Sequence, residues 1–514
     1  MDRILPARTR WPLHQAAVSR QIEADAAAAA ARAGEPRLMV RAGIAVARLA
    51  SALAPFASRI WIVAGPGNNG GDGIEAALHL HRQGRQVTLN LLGDAGKLPR
   101  DAAVSLQAAT EAGVIAKPLA SPPRLDANDL VIDALLGLGS SRAPEGPIAA
   151  AIDRINAQRC AILAVDLPTG LDGDRGALLG DCAVRASATL ALLTLKPGLF
   201  TGAGREFAGS IWFDALGAQP ATHQPDAWLS GPNRPHGGAR MRRHDQHKGS
   251  FGDLAVVAGA PGMSGAALLC ARAAHAAGAG RVWIVPLDDA APLLDPARPE
   301  LMWVRDLDVF DPDRLGRMTI AAGCGGGEAI AQQLPRLLRH AARLVIDADG
   351  LNAIAGDPAL AKALRERSDR GQPSILTPHP LEAARLLGTS SREVQHDRLQ
   401  AAQRLADRFG AVAVLKGSGS VIAAPAMTPQ LNSSGGPALA TPGSGDVLAG
   451  WLAGIWSAAA ASTAAKGSTS AAETAFLAAS DAVWWHGTAA DRSTLPLLRA
   501  ADLIEAMAAA PTAG

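Results

Sequence analysis

The stretch RIWIVA-GPGNNGGDG-IEAALHLHRQG, residues 59 to 84, decides the fold of the first half of the chain. RIWIVA is apolar and partly β-branched and is closed by glycine, so it reads as a short buried strand. IEAALHLHRQG has helical spacing and a glycine stop. Strand, glycine loop and helix make half of a βαβ unit, and the loop contains GxGxxG from Gly65 to Gly70. Three readings of that loop stand side by side. A dinucleotide cradle needs an exposed helix N-terminus for a pyrophosphate and an acid about 20 residues on, for which Asp94 is available. Against it, Asn68, Asn69 and Asp72 crowd the loop, and Asp72 would repel a pyrophosphate. A glycine-rich turn without ligand is the second reading. The third is a site built from oxygens.

Working outward, IWIVAG, VTLNLLG, LVIDALLG, AILAVDLP and ATLALLTL alternate with helical or polar segments, after a helical start over roughly residues 15 to 55. This alternation predicts a mostly parallel sheet covered by helices. The stretch QPATHQPDAWLSGPNRPHGGARMRRHDQHKG then breaks the pattern and reads as a linker. Alternation resumes with DLAVVAG, RVWIVPL, MTIAAG, RLVIDAD, SILTPH and AVAVLKG. The expected organisation is therefore α/β throughout, with one domain over 1–220, a linker over 221–247 and a second α/β domain over 248–514. The alanine run at 26–31 predicts helix, and AAAASTAAKGSTSAA near 458 a helix end with a loop.

At 514 residues the chain exceeds one core of about 100–200 residues. No apolar stretch reaches the ~18 residues that a membrane span needs, and no secretory signal is evident, so a cytoplasmic protein without a membrane partner is expected. A net charge of +2 and the lack of tyrosine argue against nucleic acid as a partner. Small molecules remain. Cys160, Cys182, Cys270 and Cys324 lack CxxC spacing and read as buried free thiols. His236, His244, Asp245 and His247 are too irregularly spaced for a metal site.

In open α/β sheets ligands bind beyond the carboxyl ends of the strands. Three strand ends of the first half are polar: GPGNNGGDG, DALLGLGSSR with Asp133, Gly137 and Gly139, and VDLPTGLDG with Asp166 and Thr169. Asn69, Asp133 and Thr169 could bind a hard cation, and so few oxygens of low charge suit a monovalent ion. Asp133 and Asp166 are the candidate bases.

In order, LMVRAG (38–43), GPGNNGGDG, DALLGLGSSR, VDLPTGLDGDRG and LTLKPGLFTGAG resemble the NAD(P)H-hydrate epimerase family across nearly the whole first half. The resemblance implies a Rossmann-like fold and interconversion of the two epimers of NADH or NADPH hydrated at carbon 6 of the nicotinamide ring. It implies that Asn68, Asn69, Gly70, Gly71 and Asp72, the segment Gly137, Leu138, Gly139, Ser140, Ser141, Arg142 and Ala143, and Asp166 contact the hydrate. Asn69, Asp133 and Thr169 would hold potassium. Val40 stands where that family usually has an acid, and Thr169 where it has serine.

In the second half, ATPGSGDVLAGWLAGI (440–455) sets Gly443, Gly445 and Asp446 at a helix entrance. Amides there stabilise charge on a phosphoryl group, and a carboxylate can take a hydroxyl proton; a simple helix-capping aspartate is the alternative. VLKGSGSVIAAP ends a strand with Lys416 and a glycine-serine turn, TPHPLEAARLLG carries His379, and IDADGLNAI carries Asp347 and Asp349.

With HKGSFGDLAVVAGAPGMSGAALLCARAAHAAGAG, these motifs resemble the ribokinase-like NAD(P)H-hydrate dehydratase family over 245–510. The resemblance implies that Ala266, Gly325 and His379 line the hydrate site, that Lys416, Gly417, Ser418, Gly419, Ser420 and Gly445 bind the nucleotide, and that Asp446 meets the hydrate hydroxyl. ADP or ATP would be co-substrate, with magnesium bridging its phosphates. GCGGG at 323–327 lacks the proline and bulky residue usual in that loop, and Gly350 replaces a usual alanine. The expected function is repair of hydrated nicotinamide cofactors. A small-molecule kinase fused to a Rossmann-type reductase or binding domain is the alternative, and a homo-oligomer is left open.

Overall fold

The computed structural model describes residues 1–119, 122–218, 223–232, 244–463 and 470–509. The chain divides into two units, Met1–Leu229 and Ser230–Gly514. No described helix is long and apolar enough to cross a membrane.

The first unit contains strands β1 (Asp2–Arg3), β2 (Trp11–Leu13), β3 (Arg59–Ala64), β4 (Gln86–Leu91), β5 (Ala116–Lys117), β6 (Leu130–Ala134), β7 (Ala161–Val165), β8 (Ala188–Leu192), β9 (Ser210–Asp214) and β10 (Ala227–Leu229). Its main sheet runs β1-β9-β8-β7-β6-β3-β4-β5. Every neighbour pair is parallel except β1 with β9. From β3 the chain steps outward through β4 and β5, then returns to β6 on the other side of β3 and steps away through β7, β8 and β9. The switch in direction therefore falls between β3 and β6, which is where such sheets open a crevice.

Period-2 alternation sorts the side chains into three layers. Ile60, Ile62 and Ala64 of β3 pack on one face with Ala42, Val46 and Leu49 of the helix Leu38–Leu53 and with Ile74 of the helix Asn68–Arg82. Trp61 and Val63 face the opposite side, against Ala151, Ile152 and Ile155 of the helix Gly146–Asn156. The run at 26–31 is helical, inside Ala16–Ala33.

The expected linker begins with structure. Ala-Trp-Leu of β10 pairs antiparallel with β2, because these apolar residues find backbone partners there. Residues 233–243, with His236, lie outside the described residues, and His244, Asp245 and His247 form no metal-binding group among those described.

The second unit contains β11 (Asp253–Ala258), β12 (Arg281–Pro286), β13 (Met302–Trp303), β14 (Thr319–Ala322), β15 (Arg343–Ile346), β16 (Ser374–Leu376), β17 (Val412–Leu415), β18 (Val421–Ala423) and β19 (Gln430–Leu431). They lie in the order β13-β12-β11-β14-β15-β16-β17-β18-β19. The pairing is parallel as far as β17 and antiparallel beyond it. The direction of progress reverses between β11 and β14.

The helix Ser444–Thr463 packs on the helix Ser264–Ala276 at close range. Glycine permits this: a Cβ on Gly450 would sit 2.0 Å from the Cys270 carbonyl oxygen, and one on Gly454 2.4 Å from that of Ala274. Gly450→Ala should cost about 1–3 kcal/mol by overpacking against backbone that cannot yield. Calorimetry should show a lower thermal midpoint for the variant than for the unsubstituted protein.

Candidate active sites

In the first unit, the polar strand tips meet around one cavity of about 720 Å³ at the switch point. Asn68, Asn69 and Asp72 line it from the helix after β3. The segment from Gly137 to Ala143 lines it from the loop after β6, and Asp166 from the end of β7. Gly70 and Gly71 do not line it, contrary to the contact expected of them. They are buried in the first helical turn, where a Cβ on Gly70 would fall 1.9 Å from the Gly65 carbonyl oxygen and one on Gly71 2.5 Å from Met39 Cε. A Cβ on Gly65 would in turn fall 1.9 Å from the Leu135 carbonyl oxygen. The glycines of GxGxxG thus let β3, its helix and the end of β6 approach one another.

Asp133 is fully buried behind this wall. Its Oδ1 accepts hydrogen bonds from the Thr169 hydroxyl (2.7 Å) and the Leu135 amide (3.2 Å), and its Oδ2 accepts from the Thr169 amide (2.9 Å). Burial outweighs these donors and raises its pKa to about 6. These bonds hold the loop after β7 against the end of β6, and of the two candidate bases it is Asp166, not Asp133, that lines the cavity. Asn69 lies nearby: a Cβ on Gly137 would be 3.0 Å from its Oδ1. Both polar atoms of this carboxamide are buried with no hydrogen-bond partner among the described residues.

Asp166 lies on the cavity, only 9% exposed, in the left-handed region at φ 65°. It forms an ion pair with Lys196, which is buried and also donates to the Leu192 carbonyl at 2.8 Å. Asp166 further accepts from the amides of Leu138 (3.2 Å) and Leu192 (3.3 Å). Lys196 lines the cavity too. Sequence reasoning placed it inside the LTLKPG motif but gave it no task; a lone lysine in an apolar run is its only local signal.

In the second unit the switch point joins the loops after β11 and β14. Gly259 and Ala260 donate to the carbonyls of Cys324 (3.1 Å) and Gly325 (2.7 Å). A Cβ on Gly325, whose φ is +52°, would lie 3.0 Å from Ala266 Cβ, so these two expected residues are neighbours. Lys416 Nζ donates to Asp347 Oδ1 at 2.7 Å, and its amide donates to the Pro378 carbonyl at 2.9 Å, next to His379. A Cβ on Gly445 would lie 3.5 Å from Lys416 Nζ and 3.8 Å from Asp347 Oδ2. Donor atoms of Cys324, Asp347 and Asp446 lie within 4.8 Å of one another.

Burial, then repulsion from Asp347, raises the Asp446 pKa to about 6, partly offset by a hydrogen bond from Cys324. His379 caps the helix Pro380–Leu387, its Nδ1 accepting from Leu381 (3.1 Å) and Glu382 (3.3 Å) amides. Its exposed ring also sits 3.2 Å from Glu382 Oε1. The turn after Lys416 carries Gly417 at φ 138° and Gly419 at φ 63°, and the Ser420 hydroxyl donates to the Gly417 carbonyl at 3.2 Å.

Two supports were not visible in sequence. Buried Arg398 donates to the carbonyls of Leu415 and Lys416 at 3.2 Å each, and buried His486 bonds the Ser444 carbonyl at 3.0 Å. The thiols are free, as expected, but Cys182 is only partly buried.

A pair of open α/β sheets, each gathering acids and a lysine at its switch point, defines an enzyme with two separate small-molecule sites. Comparison with known proteins identifies them. The family of YjeF-related protein N-termini matches residues 35–198, and the NAD(P)H-hydrate dehydratase family matches residues 254–508. The chain is 36% identical over 437 residues to the bifunctional NAD(P)H-hydrate repair enzyme Nnr of Escherichia coli, covering 81% of this chain and 80% of that one. It is 34% identical over 505 residues to Nnr of Vibrio cholerae, covering 96% of each. Among solved structures, it is similar to the ADP/ATP-dependent NAD(P)H-hydrate dehydratase of Bacillus subtilis co-crystallised with ATP/Mg2+. Identity there is 30%, coverage 52% of this chain and 91% of that one, and the TM-score 0.41.

The chain belongs to the bifunctional NAD(P)H-hydrate repair enzymes. Its first unit is a Rossmann-like epimerase and its second a ribokinase-like dehydratase.

Thr169→Val should remove the only side-chain donor to Asp133 among the described residues and cost about 1–3 kcal/mol as the carboxylate loses a buried hydrogen bond. Thr169→Ser should keep most of the stability, read as the thermal midpoint of each variant.

Proposed function

We propose that the first unit interconverts the R and S hydrates of NADH and NADPH in its cavity, and that the second dehydrates the S form at the expense of ADP or ATP. The observation that carries the second half is the placement of Asp446. It stands in the first turn of the helix Ser444–Thr463, within 4.8 Å of Asp347, which Lys416 neutralises. Helix amides, Gly445 and Lys416 suit a phosphate donor, with the Gly417–Ser420 turn beside them. Asp446 takes the proton of the C6 hydroxyl as that oxygen is phosphorylated. The ring nitrogen then expels phosphate to leave an iminium ion, and loss of a proton from C5 restores NAD(P)H. Ala266, Gly325 and His379 are proposed to hold the hydrate. The protein's own oxygens here are few and Asp347 is already paired, which suits a magnesium ion carried mainly by the nucleotide phosphates.

In the first unit the donor set fits potassium. Asn69 offers a buried, partnerless carbonyl oxygen against Gly137 of the loop after β6, and Asp133 and the Thr169 hydroxyl are paired at the base of that loop; together they would offer oxygen ligands with a single negative charge. When bound, the ion supplies fixed positive charge at the cavity wall. Asn68, Asp72 and the 137–143 loop are proposed to contact the hydrate. Asp166 and Lys196, ion-paired on the cavity, are the groups placed to exchange a proton with the ring.

The test mixes both NADH hydrate epimers with ADP or ATP and follows recovery of nicotinamide absorbance. Full recovery is expected, and none with either nucleotide would sink the reading. Asp446→Asn should lower dehydration by about 100-fold or more while epimerisation, read by chromatography, continues. Because Asp446 acts ionised and its pKa is raised to about 6, kcat/KM should hold above that pH and fall about tenfold per unit below it. Replacing potassium by tetramethylammonium should slow epimerisation several-fold, and an Asn69→Ala variant should no longer respond to the exchange.

A further inference from the structure

Two carboxylates on the first unit's cavity serve no structural contact. Glu23, on the helix Ala16–Ala33, and Asp72, in the first turns of the helix Asn68–Arg82, line the cavity. Neither has a hydrogen-bond or ion-pair partner among the described residues. Both also line an adjoining recess of about 270 Å³, sharing that boundary with Asn68, Leu192 and Leu193. They therefore stand at the neck between two lobes. The recess beyond is walled by Ala27, Ala30, Leu38, Met39 and Ala42, together with Glu35 and the ion pair of Arg37 with Asp101. Arg20 and Arg142 line the larger lobe only.

This separation of charge orients a dinucleotide. A diphosphate is drawn toward the lobe with Arg20 and Arg142, since Arg37 of the recess is already paired with Asp101, and is repelled from a neck that carries two carboxylates. The hydrated nicotinamide ring is uncharged and partly apolar, so it is the part of the ligand that can occupy the neck. Its C6 hydroxyl then lies within the neck that Glu23 and Asp72 line. The groups facing Glu23 are Asp166, which raises its pKa after burial itself, and Lys196 and Arg20, which lower it. Asp72 is raised well above the usual carboxylate range by burial, with further upward contributions from Asp166 and Glu23. Carboxyls held up in this way exchange protons more readily near neutral pH than an ordinary glutamate.

We propose that Glu23 is the acid–base residue of epimerisation, exchanging the proton of the C6 hydroxyl. This rests on the epimerase reading of the cavity. Glu23 takes the hydroxyl proton as the C6–N1 bond breaks, and Lys196, held by Asp166, gives a proton to N1. C6 becomes an aldehyde and N1 an enamine N–H. After rotation about C5–C6, N1 adds to the other face of the aldehyde. Glu23 then returns its proton to the oxygen and Lys196 regains its own from nitrogen. No electrons are gained or lost and no co-reactant is consumed.

The test uses the full chain with excess nucleotide and an equal mixture of hydrate epimers. Absorbance recovers in a fast phase, from dehydration of the S form, and a slow phase limited by epimerisation, corrected for the rate without protein. Glu23→Gln should lower kcat of the slow phase by about 100-fold with KM changed less than about twofold, and Glu23→Asp should restore part of it. The fast phase should be unchanged in both, which also reports on folding. The acid limb of the slow-phase pH profile should disappear in Glu23→Gln. A normal slow phase with an intact pH profile in Glu23→Gln overturns the assignment, as does a rise in KM alone. Absence of a protein-dependent slow phase in the unsubstituted enzyme overturns the epimerase reading as well.

Discussion

A buried carboxylate at the tip of a central strand governs each half of this molecule. Asp133 ends β6 with no exposed surface, and Asp347 follows β15 at 2% exposure. Removing such a charge from water is costly unless donors replace the solvent. Each acid therefore dictates where its donor must be. For Asp133 the donors are the hydroxyl and amide of Thr169, which hold the loop after β7 against the end of β6. Asp166 lies three residues before Thr169 on that loop and so is brought to the cavity. For Asp347 the donor is Lys416, at the end of β17. The Gly417–Ser420 turn follows directly and is presented on the same side of the sheet. Each acid thus fixes the loop that lines its site.

Much of this was readable from residues. The strands announced themselves because parallel strands buried on both faces must be continuously apolar, and the polar residues closing them had to lie at the carboxyl ends. Asn69, Asp133, Asp166 and Thr169 are each visible as a departure from an apolar run. In the second half, GSGD before an apolar helix located Asp446 in the same way. The GxGxxG motif pointed less well. Its spacing suggests a phosphate cradle, whereas Gly65 and Gly70 satisfy a packing requirement shared with such cradles. The pattern records how closely backbones approach, while Asn68, Asn69 and Asp72 are the side chains it turns to the cavity.

The residues that escaped notice share a cause. Glu23 belongs to an alanine-rich helix whose charged side chains read as a solvated face, and only the tertiary arrangement turns it toward the cavity. Lys196 lies in an apolar run and matters through Asp166, 30 residues earlier. Arg398 supports the Lys416 turn from a helix whose local pattern is ordinary, and a Cβ on Gly417 would lie 2.9 Å from its guanidinium. Cys324 lies in the GCGGG loop, 323–327. Its sequence context suggested an inert thiol, yet its sulfur lies within 4.8 Å of carboxylate oxygens of Asp347 and Asp446. Such pairings cross elements distant in sequence, so no window of a single chain contains them.

The two sites also differ in the way their reactions require. Epimerisation has no net driving force to supply, so its cavity needs groups that give and take protons with equal ease. Four carboxyls and amines, Glu23, Asp72, Asp166 and Lys196, gather there. Dehydration must make hydroxide a good leaving group, which means accommodating a transferring phosphoryl. That site accordingly has a helix entrance free of carboxamides, with a lysine and the carboxylates of Asp347 and Asp446 beside it. The carboxamide and acid in the first turn after β3 are what prevent the first site from acting as a phosphate nest. Sharing the open-sheet architecture, the two halves are separated in function by the side chains set at the first turn after a strand.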